Sequence, residues 1–312
     1  MRTLLTVDFL NLAFRAIHGY PPLTSPEGAP VGGAFGVLAM TQSLIALCRP
    51  TVVTFAFEST TGSARTDLFP GYKEGRPEID DSVREQIVLA NRAVGAMGWA
   101  RYRAERYEAD DALMVLARLA REAGFEHTYI ATGDRDLMGA VNEQTTLLWT
   151  AQGMGKLSDR EHTNWMTPAK VEARYGVPPE RFVDRKALAG DASDTIPGVP
   201  GIGEVKAIRL LDRFGTFENL YDAVYMAAPD GEATPAAAAQ LGMGTGDLRK
   251  LLAGEALGRM SLDLGRLHPE VELTPFFDPQ AGRLGFDDRL ATLAFLRRYG
   301  MASIEKRLPR QV

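Results

Sequence analysis

Glu108, Asp110 and Asp111 crowd four positions at the start of the apolar run YEADDALMVLARLA, residues 107–120. A single acid there would be an ordinary helix cap, because a carboxylate accepts from the free N–H groups and suits the positive end of the helix dipole. Three exceed what a cap needs, and they repel one another unless a cation lies among them. More acids follow short β-rich runs: Asp8 after LLTV, Glu58 after TVVTFAF, and Asp134 and Asp136 in TGDRD after HTYIAT. Asp191 and Asp194 sit in AGDASDTIPGVPGIG. Each alone reads as a cap or turn residue. Together they make nine acids with no His or Cys among them, an all-oxygen donor set that selects a hard cation, Mg2+ or Mn2+, two or more per site. Carboxylates holding two such ions suit phosphodiester hydrolysis, with one ion activating water and both clamping phosphate oxygens.

Two further stretches suit a phosphate-bearing substrate. Gly198, Gly201 and Gly203 lead into a helix carrying Lys206 and Arg209. Glycines at a helix start can turn backbone N–H groups toward a phosphate, and the two cations add charge at that end. This points to non-specific duplex binding; the bland alternative is a plain helical hairpin. FPGYKEGRP (69–77) offers Tyr72, Lys73 and Arg76, an aromatic for a base to stack on and a basic pair for a phosphate. A solvated charged loop is the alternative there.

These residues need a frame that brings them together. Short β-rich runs alternate with helical stretches through residue 150: strands at 4–7, 51–57, 127–132 and 145–149, and helices at about 33–47, 81–97, 108–123 and from 135. Such alternation predicts an α/β fold with a mostly parallel sheet flanked by helices, whose sites form at the carboxyl ends of the strands. PPLTSPEGAPVGG (21–33) reads as a loop. After Trp165 helices dominate, which predicts a second, helical subdomain. The Ala/Gly-rich segment 228–246 reads as a connector.

The chain has 312 residues, enough for a sizeable core, and 45% hydrophobic content marks it as folded. No apolar run is long enough for a membrane span, and Asp8 comes too early for a signal peptide. One cysteine, Cys48, excludes an internal disulfide and fits a reducing cytoplasm. The four histidines form no zinc spacing. A net charge of −5 looks wrong for a nucleic-acid binder. Setting the nine acids aside leaves 31 against 35 Lys plus Arg, so the mean charge is a poor guide and its distribution matters more.

With these residues in place the chain resembles the 5′-nuclease (flap endonuclease) superfamily, specifically the bacterial 5′→3′ exonuclease domain found at the N-terminus of DNA polymerase I. The motifs run in the family's order: VDFLNLAFRA (7–16), PPLTSPEGAP (21–30), YKEGRP (72–77), EADD (108–111), TGDRD (132–136) and GDASDTIPGVPGIG (190–203). The resemblance covers residues 1 to about 300, and the chain is expected to be a stand-alone member.

It implies a PIN-like nuclease core at 1–165 with a helical arch at about 72–100. A helix–three-turn–helix subdomain is implied at 166–260, and a C-terminal helical extension packing on the core at 261–312. It implies Asp8, Glu108 and Asp110 at one metal; Asp134, Asp136 and Asp194 at the second, with Asp110 open to bridging; and Asp111 and Asp191 as outer or additional ligands. Arg15 matches a family arginine. Lys73 and Arg76 match arch bases at the scissile phosphate, and Tyr72 the neighbouring aromatic. Gly198, Gly201 and Gly203 match a hairpin that holds K+ through backbone oxygens. Three positions depart: Phe9 stands where the family has Gly, Glu58 where it has Asp, and Thr195 where it has Asn. The Glu58 change bears on the first metal. The expected substrates are DNA with 5′ flaps, nicks, gaps or 5′ ends at duplex junctions. The expected setting is a cytoplasmic monomer working beside a DNA polymerase and a ligase. Two rivals stand: a PIN-type ribonuclease, which should lack the arch and the duplex-gripping hairpin, and a non-catalytic DNA-junction-binding remnant, which should have lost acids.

Overall fold

The computed structural model describes residues 2–74, 77–152, 164–275 and 289–308. Its centre is a seven-stranded sheet. In chain order the strands are β1 (Thr3–Asp8), β2 (Val52–Phe57), β3 (Ala100–Arg103), β4 (His127–Thr132), β5 (Thr145–Trp149), β6 (Trp165–Met166) and β7 (Thr274–Pro275). In space the order is β6-β5-β4-β1-β2-β3-β7. β1 to β5 pair in parallel, while β6 and β7 close the two edges antiparallel. The chain moves from β1 outward to β3, then crosses back to place β4 on the other side of β1. That reversal leaves a crevice at the carboxyl ends of β1 and β4, the place where open α/β sheets bind ligands.

Alternating side chains of the central strands feed two cores. Leu5, Val7, Phe55, Phe57, Ala131 and Leu148 face one side, where they meet α1 (Phe9–Gly19), α2 (Gly32–Cys48) and α4 (Asp81–Ala96). Leu4, Ala56, Ile130 and Leu147 face the other, against α5 (Ala109–Glu122) and α6 (Pro168–Tyr175). β1 is buried along its whole length, as a central strand covered on both faces must be. α1 and α2 approach closely because of Gly36. A Cβ there would lie 2.7 Å from the Ala16 Cβ and 2.9 Å from the Tyr20 ring.

A helical arch was expected at about 72–100, a range that includes α4. α4 buries Leu89, Ala90, Ala93 and Val94 in the core against α1 and α2, so it is a packed element. The link between α3 (Ala64–Leu68) and α4, the bridging segment between these two helices, has residues 75–76 outside the described ones. The helix expected from Arg135 is a single 3-10 stretch, Asp136–Ala140. Gly139, Val141 and an Asn142 turn follow Met138, and none of them favours continuation.

The second subdomain packs α7 (Phe182–Ala189), α8 (Glu204–Phe214), α9 (Phe217–Ala227), α10 (Pro235–Gln240) and α11 (Thr245–Gly265) around its own core. Residues 235–240, inside the expected connector, are thus helical. α11 runs unbroken through residue 260, where a boundary was expected. Beyond it, α12 (Arg289–Arg298) and α13 (Ala302–Glu305) place Leu296, Met301 and Ile304 in the first core. Among the described residues no helix is long and apolar enough to cross a membrane.

Candidate functional site

Asp8 ends β1 and caps α1, its Oδ1 accepting from the Asn11 N–H at 3.1 Å. Its Oδ2 accepts from the Thr132 hydroxyl at 2.8 Å, which ties β1 to the end of β4. The TGDRD turn is pinned just beyond. Asp134 N–H donates to Thr132 Oγ1 (3.0 Å), Asp136 N–H to Asp134 Oδ1 (2.9 Å), and Gly133 N–H to Asn11 Oδ1 (2.8 Å). Asp110 enters from the first turn of α5. Asp191 and Asp194 arrive from the turn after α7, closed by mutual backbone hydrogen bonds between Asp191 and Ile196. That turn depends on Gly198, where a Cβ would lie 2.3 Å from the Gly190 nitrogen. It also holds Thr195 at φ 58, a left-handed conformation that a β-branched residue adopts less readily than Asn.

Among the described residues, two carboxylate groups converge: Asp110, Asp134 and Asp136, and Asp136, Asp191 and Asp194, each with ligand atoms within 4.8 Å of one another. The acid common to both groups is Asp136; Asp110, left open to bridging, belongs to the first. The expected trio of Asp8, Glu108 and Asp110 does not close in the same way. Glu108 Oε2 turns instead to Lys73 Nζ (2.8 Å), the Tyr72 hydroxyl (3.1 Å) and Arg65 Nη1 (3.4 Å). Glu58 is exposed at the rim, and its Oε2 accepts from the Ala109 N–H at 3.1 Å, capping α5. Asp111 is fully buried and faces away, its two oxygens on Arg65 at 2.6 and 3.0 Å and on the N–H groups of Glu108 and His268. Those contacts fill a carboxylate's acceptor sites, so Asp111, implied as an outer or additional ligand, is held here as the counter-ion of Arg65.

Crowding shows in the protonation equilibria. Burial raises the Asp8 carboxyl to about 6, with Asp134 adding repulsion. Burial likewise raises Asp136 to about 6, against the pull of Lys186. Asp110 is raised well above its ordinary value, by burial and then by Asp134, Asp8, Asp136 and Glu58. Although the residue as a whole is exposed, its carboxyl lies among the other acids, and desolvation first, then Glu108 and Asp8, pushes Glu58 up to about 7. Asp191 is the exception. Burial opposes its ionisation, yet Lys186, Ser193 and Arg135 hold it down at about 2. Oxygen donors that repel one another in the absence of a cation fit a divalent ion.

A pH dependence follows. A carboxyl raised on folding binds more protons in the native state between its unfolded and folded pKa values, so native stability falls as pH rises through that window. For Asp8 alone this is on the order of 3 kcal/mol. His127, held below its ordinary value by burial, acts in the opposite sense. The metal-free protein should therefore lose melting temperature between about pH 4 and pH 7. Saturating Mg2+ should remove or reverse the slope, because bound carboxylates are ionised. Melting curves in chelator and in Mg2+ across this range check it; a metal-free protein that gains stability toward pH 7 would contradict the crowding.

The basic residues fall into place unevenly. Lys73, at φ 56, donates its backbone N–H to the Asp194 carbonyl at 3.2 Å and so links the bridging segment to the second carboxylate group. Arg76 lies outside the described residues. Tyr72 is only 6% exposed, its ring packed with Ile196 and Leu264, so it presents no open face for a base to stack on. Arg15 lies on the α1 face that carries Asp8 and Asn11, half-buried, its Nε without a hydrogen-bond partner. Gly201, at φ 83, and Gly203, the N-cap of α8, are both exposed. Lys206 pairs with Asp247 at 2.6 Å, and Arg209 is exposed on the same helix.

Three functional neighbours escaped the sequence reading: Arg65, Arg135 and Lys186. Arg135 donates to Asp191 at 2.6 Å, and its place inside TGDRD was a signal that could have found it. Arg65 and Lys186 carry no such signal, because each reads as a charge on an ordinary helix.

Comparison with known protein families covers residues 3–276. A model of the 5′-3′ exonuclease N-terminal resolvase-like domain matches residues 3–176, and one of the 5′-3′ exonuclease C-terminal SAM fold matches residues 177–276. DNA polymerase I of Bacillus subtilis (strain 168) is 34% identical over 223 residues, 72% of this chain and 24% of that protein. The thermostable DNA polymerase I of Thermus filiformis is 35% identical over 274 residues, 87% of this chain and 29% of that protein. The chain therefore spans less than a third of the length of these two relatives. Among solved structures, the T5 D15 protein co-crystallised with metal ions superposes with a TM-score of 0.65 at 18% identity, covering 99% of this chain and 100% of that one. The catalytic core of Rad2 in complex with DNA substrate gives 0.54 at 16% identity, covering 99% and 92%.

Proposed function

Because the chain belongs to the 5′-3′ exonuclease family, we propose that it is a structure-specific 5′-nuclease that hydrolyses DNA phosphodiesters. The observation that carries the reading is the pair of carboxylate groups sharing Asp136 in the crevice between β1 and β4. Asp110, Asp134 and Asp136 would hold one divalent cation, Mg2+ or Mn2+, with Asp8 and Glu108 beside it. Asp136, Asp191 and Asp194 would hold a second. Such a pair supplies Lewis-acid charge for the scissile phosphate and the attacking water.

The chain's own residues do the rest. Lys73, now on Glu108, is placed to turn its ammonium to the charge that develops on the phosphate, and Arg76 is assigned the same task from its motif. Arg15 would take a neighbouring phosphate. Lys206, Arg209 and the N–H groups of Gly201 and Gly203 at the start of α8 would grip the duplex backbone without reading bases. Potassium is not part of this assignment. Lys250 Nζ already faces the Gly201 carbonyl at 3.4 Å, and the Gly203 carbonyl accepts from two backbone N–H groups of α8. The substrates would be 5′ flaps, nicks, gaps and 5′ ends at duplex junctions. The protein would act as a cytoplasmic monomer, beside a DNA polymerase and a ligase. A PIN-type ribonuclease is disfavoured by the helical second domain, which matches its own family model, and a non-catalytic remnant by the retained acids.

A timed digestion of 5′-flap, nicked, blunt and single-stranded DNA of matched sequence tests the reading. Cleavage should favour 5′ junctions, vanish in EDTA and return with Mg2+ or Mn2+; robust turnover in excess chelator would overturn it. The same assay separates the two basic regions. Lys73→Ala should slow the single-turnover step far more than it weakens binding. Lys206→Ala with Arg209→Ala should weaken binding, with a shallower salt dependence, and largely spare the step. The opposite pattern would exchange the roles of bridging segment and hairpin.

A further inference from the structure

Lys186 reaches into the second carboxylate group from α7 with its side chain only 5% exposed. Its ammonium pairs with Asp136 and lies 3.2 Å from Asp191 Oδ2 and 3.6 Å from Asp194 Oδ2. An ammonium has three donors and no acceptor, so three carboxylates are a matched set. Arg135 adds a second positive charge on Asp191. The first group differs. Among the described residues neither Asp110 nor Asp134 forms an ion pair, and only the shared Asp136 meets a cation there. The second group thus has a cation on each of its three acids, and the first only on the acid they share.

We propose that Lys186 is the resident cation of the second carboxylate group, and that a divalent ion enters there only by displacing its ammonium. The two metal positions then fill in order, Asp110–Asp134–Asp136 first and Asp136–Asp191–Asp194 second. This rests on the two-metal reading above and makes Lys186 a positioning residue for it. The displaced ammonium has somewhere to go. A cavity of about 180 Å³ lies beside Lys186, lined also by Asp136, Gly139, Glu180 and Phe182, and Glu180 offers it a new carboxylate. A compact point charge on a flexible stem suits such a swing better than a planar guanidinium, which holds carboxylates in a fixed fork. Substrate phosphate, arriving with further negative charge, would favour the second ion over the lysine and couple full metal loading to DNA binding.

Calorimetric titration of Mn2+ into the full chain without DNA reads this directly. The wild type should show one tight and one weak binding event. Lys186→Met should tighten the weak event by about 10–100-fold, the range over which neighbours of ligands tune metal sites. Lys186→Arg, which keeps the charge, should leave it weak. Metal-free Lys186→Met should also melt lower than wild type and gain more from Mn2+. If it folds only with metal, the order in which a graded chelator strips the two ions gives the same comparison. Equal affinities in the wild type, or a second event that weakens in Lys186→Met, would overturn the proposal and leave the two-metal reading standing. A wild type that binds no Mn2+, or whose tight event survives Asp110→Asn, would overturn that reading and this proposal with it.

Discussion

Replacing Asp110 with Asn should all but abolish DNA cleavage and leave the metal-free fold as stable as before, or more so. Asp110 is 9% exposed and sits among Asp134, Asp8, Asp136 and Glu58, each of which opposes its ionisation. Two electrostatic effects compete in the metal-free protein. At the start of α5 an acid gains about 0.3–1 kcal/mol from the helix dipole. Against this stands a desolvated charge in contact with like charges, and each pKa unit of elevation is worth about 1.4 kcal/mol. The second effect is larger, so removing the charge relieves more than it loses. With metal the balance inverts, because an amide oxygen is a far weaker ligand than a carboxylate. Loss of one group that stabilises developing charge typically costs about 10²–10³ in rate. A residue of the first carboxylate group should reach at least that. Single-turnover rates and metal-free melting curves for wild type and Asp110→Asn decide the matter. A large fall in metal-free melting temperature would make Asp110 a structural cap.

Asp8, Glu58, Glu108, Asp110, Asp134 and Asp136 were legible in the sequence because each lies at or just past a strand end or at the start of a helix, and the strand–helix alternation predicts the crevice there. Which acids share an ion was not. The distances among Asp136, Asp191 and Asp194 depend on how α7 docks beside the 3-10 turn, a contact between segments 50 residues apart. Lys186 was invisible for the same reason: nothing along α7 says that one lysine points into three carboxylates. Leu89, Ala90, Ala93 and Val94 recur at helical spacing, a pattern from which the burial of α4 could have been read. β3, as ARYR, carries two arginines in four residues, and β7 has only two residues, so neither stands out as a strand. Tyr72 was read by residue type as a stacking platform. Its burial follows from Ile196 and Leu264, which come from the second subdomain and its last helix.

The second large effect concerns a residue with no proposed contact to substrate. Arg65→Ala should cost about 3–5 kcal/mol, the usual penalty for stranding one partner of a buried ion pair. Its guanidinium holds Asp111 through both oxygens, and it also donates to the carbonyls of Leu264 (2.9 Å) and Arg266 (2.8 Å) at the end of α11. Arg65 is 6% exposed and Asp111 fully buried, so water cannot replace these contacts without opening the structure. Truncation would leave a charged carboxylate with only two backbone N–H partners and two carbonyls without this donor. Against a typical total stability of about 5–15 kcal/mol, that is a third or more of the margin. The reverse change, Asp111→Ala, should cost less, because Glu108 lies 3.4 Å from the same guanidinium and can take up its charge. The pair itself need not be a net gain over apolar contacts, since both charges were taken from water. Arg65→Met with Asp111→Leu should therefore recover much of what Arg65→Ala loses. Glu108 would then keep Lys73 and Tyr72 as partners but lose the cation behind it, so the double variant should fold well and still cleave slowly. Urea unfolding of the three variants, with single-turnover rates on a 5′-flap substrate, separates these contributions. An Arg65→Ala protein within about 1 kcal/mol of wild type would mean that the ion pair is solvated, because exposed pairs contribute no more than that.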